Sequence, residues 1–232
     1  MIKATHEDKD LVAGLLTRSF ESNETINYLI PKGKNRISRI GMLMQYAFYR
    51  CHLQGDVFLS QDRRACALVL YPHLERATLT TMSLKIQLIL KGLGLGNCIR
   101  ILKYRRMTKT RLGKTVVARI WMLGVSPRFQ SLGNGSRLLQ DVILEMQKKN
   151  LSAYLETPEF SQVAWYERFG FMLYNTHELG HNLYFLKRVA DKGLGIRGPN
   201  TQLNACLYPS GDDTTDLAAS QVLSSILYAE SH

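Results

Sequence analysis

The sequence predicts a mixed α+β (or α/β) domain around one sheet, and three observations predict it. Residues 115–187 read as an alternating β-α-β-α-β-β series. The run Thr115 to Val125, TVVARIWMLGV, alternates as a long strand does and passes through a Pro127 turn and a glycine pair into an apolar-periodic helix. The composition, 45 % hydrophobic and 21 % charged over 232 residues, is ordinary globular usage. A chain of this size buries a core without disulfide help.

In order, Ile2 to Ala4 reads as a short strand, and Thr5 can cap a helix running to about Ser19, with Leu11, Val12, Leu15 and Leu16 on one face. Residues Leu29 to Gly33 mark a loop. Helical spacing of Ile37, Ile40, Met44 and Phe48 predicts a second helix over Asn35 to His52. A hairpin follows, Val57 to Ser60 and Ala65 to Tyr71, turning at Asp62. Residues 79–111 read as a helical insertion, with helices over Leu84 to Leu90 and Cys98 to Met107. Beyond the long strand come a helix from about Ser136 to Lys149, a strand at Ser152 to Glu156, and a helix around Gln162 to Arg168 that ends on Gly170. Two strands, Phe171 to Thr176 and Asn182 to Lys187, complete the domain. After Arg188 the composition turns acidic and polar, so residues 189–232 read as a mobile appendage with one short helix at Leu217 to Leu227.

Charge is unevenly spread. The net charge is +11, and Arg76 to Gln140 holds thirteen lysines and arginines with no acidic residue. Elsewhere seventeen basic residues face nineteen acidic ones, so the whole excess lives in that block, and a polyanionic ligand is expected. The four cysteines, Cys51, Cys66, Cys98 and Cys206, form no C-x-x-C pair and read as reduced thiols of a cytoplasmic protein. Met1-Ile2-Lys3-Ala4 runs straight into a charged stretch, so no leader is expected. The apolar segment from Leu84 to Leu95 is too short to span a bilayer and is broken by Lys85 and Lys91.

The segment that carries chemistry is strand, Gln130-x-x-Gly133-x-Gly135, helix. Glycines let a backbone approach a ligand closely, and amides at a helix start point into its positive end. Together they can cradle a pyrophosphate. A Gly-x-Gly alone also marks ordinary turns. The elements that follow it make a rarer combination: Glu156-Thr157-Pro158, a helix, then Trp165-Tyr166-Glu167-Arg168-Phe169-Gly170-Phe171.

In these motifs the sequence resembles the GNAT superfamily of acetyl-coenzyme A-dependent N-acetyltransferases. V-x-P-x-x-Q-x-x-G-x-G looks like its coenzyme-binding motif and W-Y-E-R-F-G-F like its second motif. Gly124-Val125-Ser126-Pro127, Leu155-Glu156-Thr157 and the loop Ser19 to Asn23 with Tyr28 to Pro31 look closest to the puromycin N-acetyltransferase-like branch. The resemblance implies a twisted mixed sheet of about seven strands, splayed between its fourth and fifth. Pantetheine would pair with the free backbone of Leu123 and Val125, beside Gly124. Gln130 and the amides of Ser131, Leu132, Gly133, Asn134, Gly135 and Ser136 would hold the diphosphate, flanked by Arg128 and Arg137.

Tyr166 resembles the family's tyrosine beside the coenzyme sulfur, where a phenol suits a general acid because its pKa lies within about two units of a thiol's. Glu156 is the leading candidate base, its proton affinity raised by burial. Tyr28 and His73 are expected at the acceptor pocket, His177 and His181 in the final hairpin, and Val125 N–H at the thioester oxygen. Two departures from the family pattern stand out. Ser131 replaces a glycine, and the Asn or Ser that opens the helix before the tyrosine is missing, with Glu159 and Ser161 nearby.

Acetyl-coenzyme A is thus the expected cosubstrate and a small-molecule amine the expected acceptor, with no metal, no nucleic acid and no membrane, in a monomer or homodimer. A peptide or protein amine is an alternative acceptor. A basic RNA-binding module on the same fold is the alternative of another class, suggested by the cluster from Arg100 to Lys114.

Overall fold

The computed structural model describes residues 1–74, 82–83, 86–89, 100, 103–104 and 116–190. Contacts divide the chain into Met1–Gly193 and Leu194–His232, and every described residue lies in the first unit. Most of the expected helical insertion, the appendage beyond residue 190, Cys98 and Cys206 lie outside the described residues.

The elements are strand β1 (Ile2–Lys3), helices α1 (Lys9–Ser19), α2 (Glu24–Leu29) and α3 (Arg36–Gln54), strands β2 (Gly55–Leu59), β3 (Ala65–Leu70) and β4 (Val117–Val125), helix α4 (Asn134–Lys148), strand β5 (Ser152–Thr157), helix α5 (Phe160–Glu167), and strands β6 (Met172–Glu178) and β7 (Asn182–Arg188). They form a seven-stranded sheet in the order β1-β2-β3-β4-β5-β7-β6. All neighbours are antiparallel except β4 and β5, which run parallel. This is the mixed, open sheet that the sequence predicts.

Each face of the sheet carries helices, because each helix has one apolar stripe to bury. On one face α1, α2 and α3 bring Val12, Leu15, Leu16, Ile26, Met44 and Phe48 onto Cys66, Leu68 and Met122. On the other, α4 and α5 bring Leu138, Leu139, Val142, Met146, Val163 and Tyr166 onto Ala67, Val69, Ile120 and Leu155. Leu11 and Ile37, expected on buried helix faces, are instead among the exposed apolar side chains.

Several boundaries move for local reasons. Thr5 N–H donates to Asp8 Oδ2, which closes a single 3-10 turn before α1 begins. Helix α2, which sequence periodicity did not reveal, is nucleated by Asn23, whose Oδ1 accepts from Ile26 N–H. Helix α4 starts at Asn134, because Gly133 takes φ 80 and supplies the left-handed turn in front of it.

The feature that positions the site is the way β4 leaves β5. Pairing runs through Val117–Ser152, Ala118–Ala153 and Arg119–Tyr154, and stops there. Beyond it, β4 stays with β3 and β5 stays with β7. At the parting point the β3–β4 register slips, so that Leu68 faces Met122 while Val69 faces Ile120 and Trp121 is left over. The bulge puts both Trp121 and Met122 on the α1–α3 face. It returns Leu123 and Val125 to the α4–α5 face, where an unbroken alternation would have reversed them.

Candidate active site

A cleft of about 710 Å³ opens between the parted strands. Its walls include Leu123 and Val125 of β4, Leu155, Glu156 and Thr157 of β5, Trp165 and Tyr166 of α5, and Gly133, Gly135 and Ser136 at the head of α4.

The backbone of β4 presents alternate edges. Ser126 N–H donates to Arg64 O at 2.8 Å, which turns position 126, and with it 124, toward β3. Leu123 and Val125 therefore turn their peptide groups to the open side, where β5 no longer reaches. One of those groups is already used: Val125 O accepts from Ser19 Oγ at 2.7 Å and from Gln130 Nε2 at 3.2 Å. Gly124 lines the cleft, and its missing side chain also serves packing. A Cβ there would lie 2.8 Å from Leu16 Cδ2 and 3.3 Å from Ser19 Oγ, so its missing side chain lets α1 pack directly on the strand.

The turn after β4 leads to α4. Phe129 O accepts from Asn134 Nδ2 at 3.0 Å, and the Arg64 guanidinium lies 4.0 Å from the Phe129 ring centroid. Ser131 sits at φ 60, a left-handed conformation that a side chain disfavours and a glycine accepts freely. The first intrahelical bond runs from Arg137 N–H to Gly133 O, which leaves the amides of Asn134, Gly135 and Ser136 without helical partners. A Cβ on Gly135 would lie 3.2 Å from Val125 Cγ2, so the helix head and the strand end are close. Trp165 Nε1–H reaches Ser136 Oγ at 3.3 Å and links α5 to the same helix head. Leu132 is 64 % exposed and Asn134 is engaged with Phe129 O, so neither side chain forms the cleft wall. Arg128 and Arg137 are not on the cleft wall either; Arg168 is.

Tyr166 lies on the wall, buried against Trp165 and Phe171. Burial, aided by the charge of Glu159, pushes its phenol well above the ordinary value. Its proton is therefore held at every physiological pH. The same shift widens the gap to a thiol that the sequence reading took as small. Glu156, the expected base, does not stand alone. Its Oε1 accepts from Arg119 Nη2 at 2.5 Å and from Tyr104 O–H. Burial alone would lower the Arg119 value, but the opposing charge of Glu156 and its hydrogen bond raise it, so the guanidinium stays charged. Burial and the Glu156 charge raise Tyr104.

Ser19, Phe20, Ser22 and Asn23 also line the cleft, in the loop the sequence singled out. Tyr28 and His73 do not. Tyr28 packs on His181 with ring centroids 5.6 Å apart, and His73 is an exposed side chain against Tyr71, 6.0 Å between centroids. His177 and His181 do lie in the final hairpin, and His181 Nε2 is 3.1 Å from Thr25 Oγ1. Sequence reasoning missed Arg119 as the partner of Glu156; the available signal was a charge inside an otherwise apolar alternating strand. No cluster of three metal-ligating side chains occurs among the described residues, and none of their helices is long and apolar enough to cross a membrane.

Residues 94–173 match the family model described as Acetyltransferase (GNAT) domain. No curated protein matches the chain. Among solved structures, the chain is similar to the structure titled histone acetyltransferase HPA2 and related acetyltransferase from Corynebacterium glutamicum, at 15 % identity and TM-score 0.60, over 83 % of this chain and 96 % of that one. It is similar to arylalkylamine N-acetyltransferase 2 from Aedes aegypti, at 13 % identity and TM-score 0.54, over 82 % and 98 %. It is also similar to the C-terminal condensation domain of Ebony in complex with beta-alanyl-dopamine, at 8 % identity and TM-score 0.56, over 81 % and 96 %. The fold is the GNAT fold.

Proposed function

We propose that this chain is a GNAT N-acetyltransferase that moves the acetyl group of acetyl-coenzyme A to a primary amine by direct attack in a ternary complex. The observation that carries the reading is the parted β4–β5 pair, whose open backbone edge leads into the amides at the head of α4 that have no helical partners. An extended pantetheine arm can pair with Leu123 as an added strand would, and the diphosphate can rest on the amides from Ser131 to Ser136.

The chemistry assigns the remaining groups. The amine lone pair attacks the thioester carbonyl carbon, and the oxygen gathers charge that Val125 N–H can stabilise. The amine proton passes to Glu156 directly or through water. The C–S bond then breaks, and the departing thiolate takes the phenolic proton of Tyr166. Glu156 and Tyr166 both line the cleft, which supports the division of labour.

A small-molecule amine is the acceptor we favour. The likeness of Gly124 to Pro127, Leu155 to Thr157 and the Ser19 to Asn23 loop to the puromycin N-acetyltransferase-like branch supports it, as does the presence of that loop on the cleft wall. The test is release of free thiol from acetyl-coenzyme A with a panel of small amines and a panel of peptides. Turnover confined to small amines supports the reading, turnover confined to peptides replaces the acceptor, and silence with both overturns it. The basic cluster that suggested an RNA partner lies mostly outside the described residues.

A further inference from the structure

Arg119 has no part in the chemistry above, yet its side chain is only 15 % exposed and its partner Glu156 only 9 %. Stability is a poor reason for such a pair. Taking two charges out of water is costly, and apolar side chains of similar size often serve as well. The geometry of the pair is more informative. Arg119 Nη2 and Tyr104 O–H both go to Oε1, and no described residue is bonded to Oε2. Glu156 is on the cleft wall.

The two residues also differ in how they are held. Arg119 is the last residue of β4 still paired with β5, through Tyr154, and it is paired with Leu70 of β3 on its other side. Glu156 lies two residues further on, where β5 has only β7 beside it, through Phe185. A carboxylate at the edge of the opening is thus steered by a guanidinium fixed at the fork.

We propose that Arg119 is the positioning residue of the acceptor site: by taking Oε1 of Glu156 it presents Oε2 to the incoming amine. This rests on the reading that the cleft performs acetyl transfer with Glu156 receiving the proton. A carboxylate held by one oxygen, with no described donor on the other, takes a proton from an attacking nitrogen better than a carboxylate that can swivel. Among the described residues, other titratable groups near the pair are Tyr104, Cys51 and Arg50 of α3, the last over the Trp121 ring at 5.3 Å; His177 of β6 lies against Phe185, the β7 partner of Glu156, at 5.7 Å. The Arg119 guanidinium is itself 6.0 Å from the Trp121 ring centroid.

The experiment compares the full chain with Arg119→Met, Arg119→Lys and Glu156→Gln, using acetyl-coenzyme A and the best amine of the panel. It reads kcat, KM, coenzyme affinity and the pH profile. Arg119→Met should lower kcat by about 10²-fold, the usual cost of a misplaced group, with coenzyme affinity within twofold. It should also move the acid limb of the profile to higher pH, since a carboxylate that loses an adjacent cation binds its proton more readily. Arg119→Lys should return the limb to its place while kcat stays about tenfold low, because an ammonium lacks the planar fork. Glu156→Gln should abolish the limb.

A loss of kcat in Arg119→Met with the limb unmoved would mark a merely structural residue and overturn the proposal. If Arg119→Met does not fold, Arg119→Lys decides: wild-type kcat there overturns it as well. Failure of the wild-type chain to release thiol with any amine would sink the acetyl-transfer reading and this inference with it, whereas failure confined to the Arg119 variants sinks this inference alone.

Discussion

Ser19 Oγ donates to Val125 O at 2.7 Å and so ties the last residue of α1 to the end of the parted strand. The bond spans 106 residues and needs Gly124, whose missing Cβ admits α1 to within reach. It also consumes a carbonyl on the open edge of β4, which leaves less of that edge for an extended ligand. Ser19→Ala removes the donor, and urea denaturation should show a loss of about 1 kcal/mol, the usual net worth of one hydrogen bond.

Tyr166 is buried and its phenol keeps its proton. Tyr166→Phe retains the packing against Trp165 and Phe171 and removes only the hydroxyl. Turnover should fall about 10²- to 10⁴-fold, the range of a lost general acid, while calorimetry finds coenzyme affinity unchanged. Unaltered turnover would take the acid role from Tyr166.

Ser131 carries a side chain at φ 60. The left-handed conformation costs an ordinary residue about 1–2 kcal/mol, and a glycine gives back about 0.5–1 kcal/mol through its freer unfolded state. The first effect is larger, so Ser131→Gly should raise the unfolding free energy by about 0.5–1 kcal/mol. A loss would mean that the Ser131 hydroxyl does more than the backbone suggests.

Asp56, far from the cleft chemistry, accepts from Lys3 Nζ at 2.5 Å, Lys149 Nζ at 2.6 Å and Tyr71 O–H at 2.5 Å. Burial pushes its carboxyl up, but these three hydrogen bonds outweigh burial and hold it below the usual carboxylate value. The folded pKa is thus lower than the unfolded one, near 3.9. The stabilisation is complete above that unfolded value and disappears as pH falls through the folded one. Asp56→Asn should therefore be less stable than wild type by about 1–3 kcal/mol at pH 7. That gap should close in thermal melts run from pH 4 downward; a constant gap would contradict the ionic origin.

Local pattern alone determined much of this protein. The stripe Leu138, Leu139, Val142, Ile143 and Met146 repeats at helical spacing, and α4 buries it. The alternation of TVVARIWMLGV is a strand's, and β4 occupies most of it. Gly133 ahead of an apolar-periodic segment announced a turn into a helix, and its φ of 80 is the reason. Such features depend on a residue and its neighbours within a turn or two, so periodicity carries them. Helix α2 escaped because six residues are too few to show a period.

Tertiary structure decided what lies farther apart. Arg119 and Glu156 are 37 positions apart, and only the parallel pairing of β4 with β5 brings them together. The bulge at Trp121 reverses the faces of the residues that follow it, and no count along the chain shows that extra residue. Tyr28 and His73 carry groups suited to an acceptor pocket, yet the packing of α2 on the final hairpin and the exposure of His73 take both away from the cleft. Residue type states what a side chain can do; which partners it meets is set by burial and strand register, summed over the whole molecule.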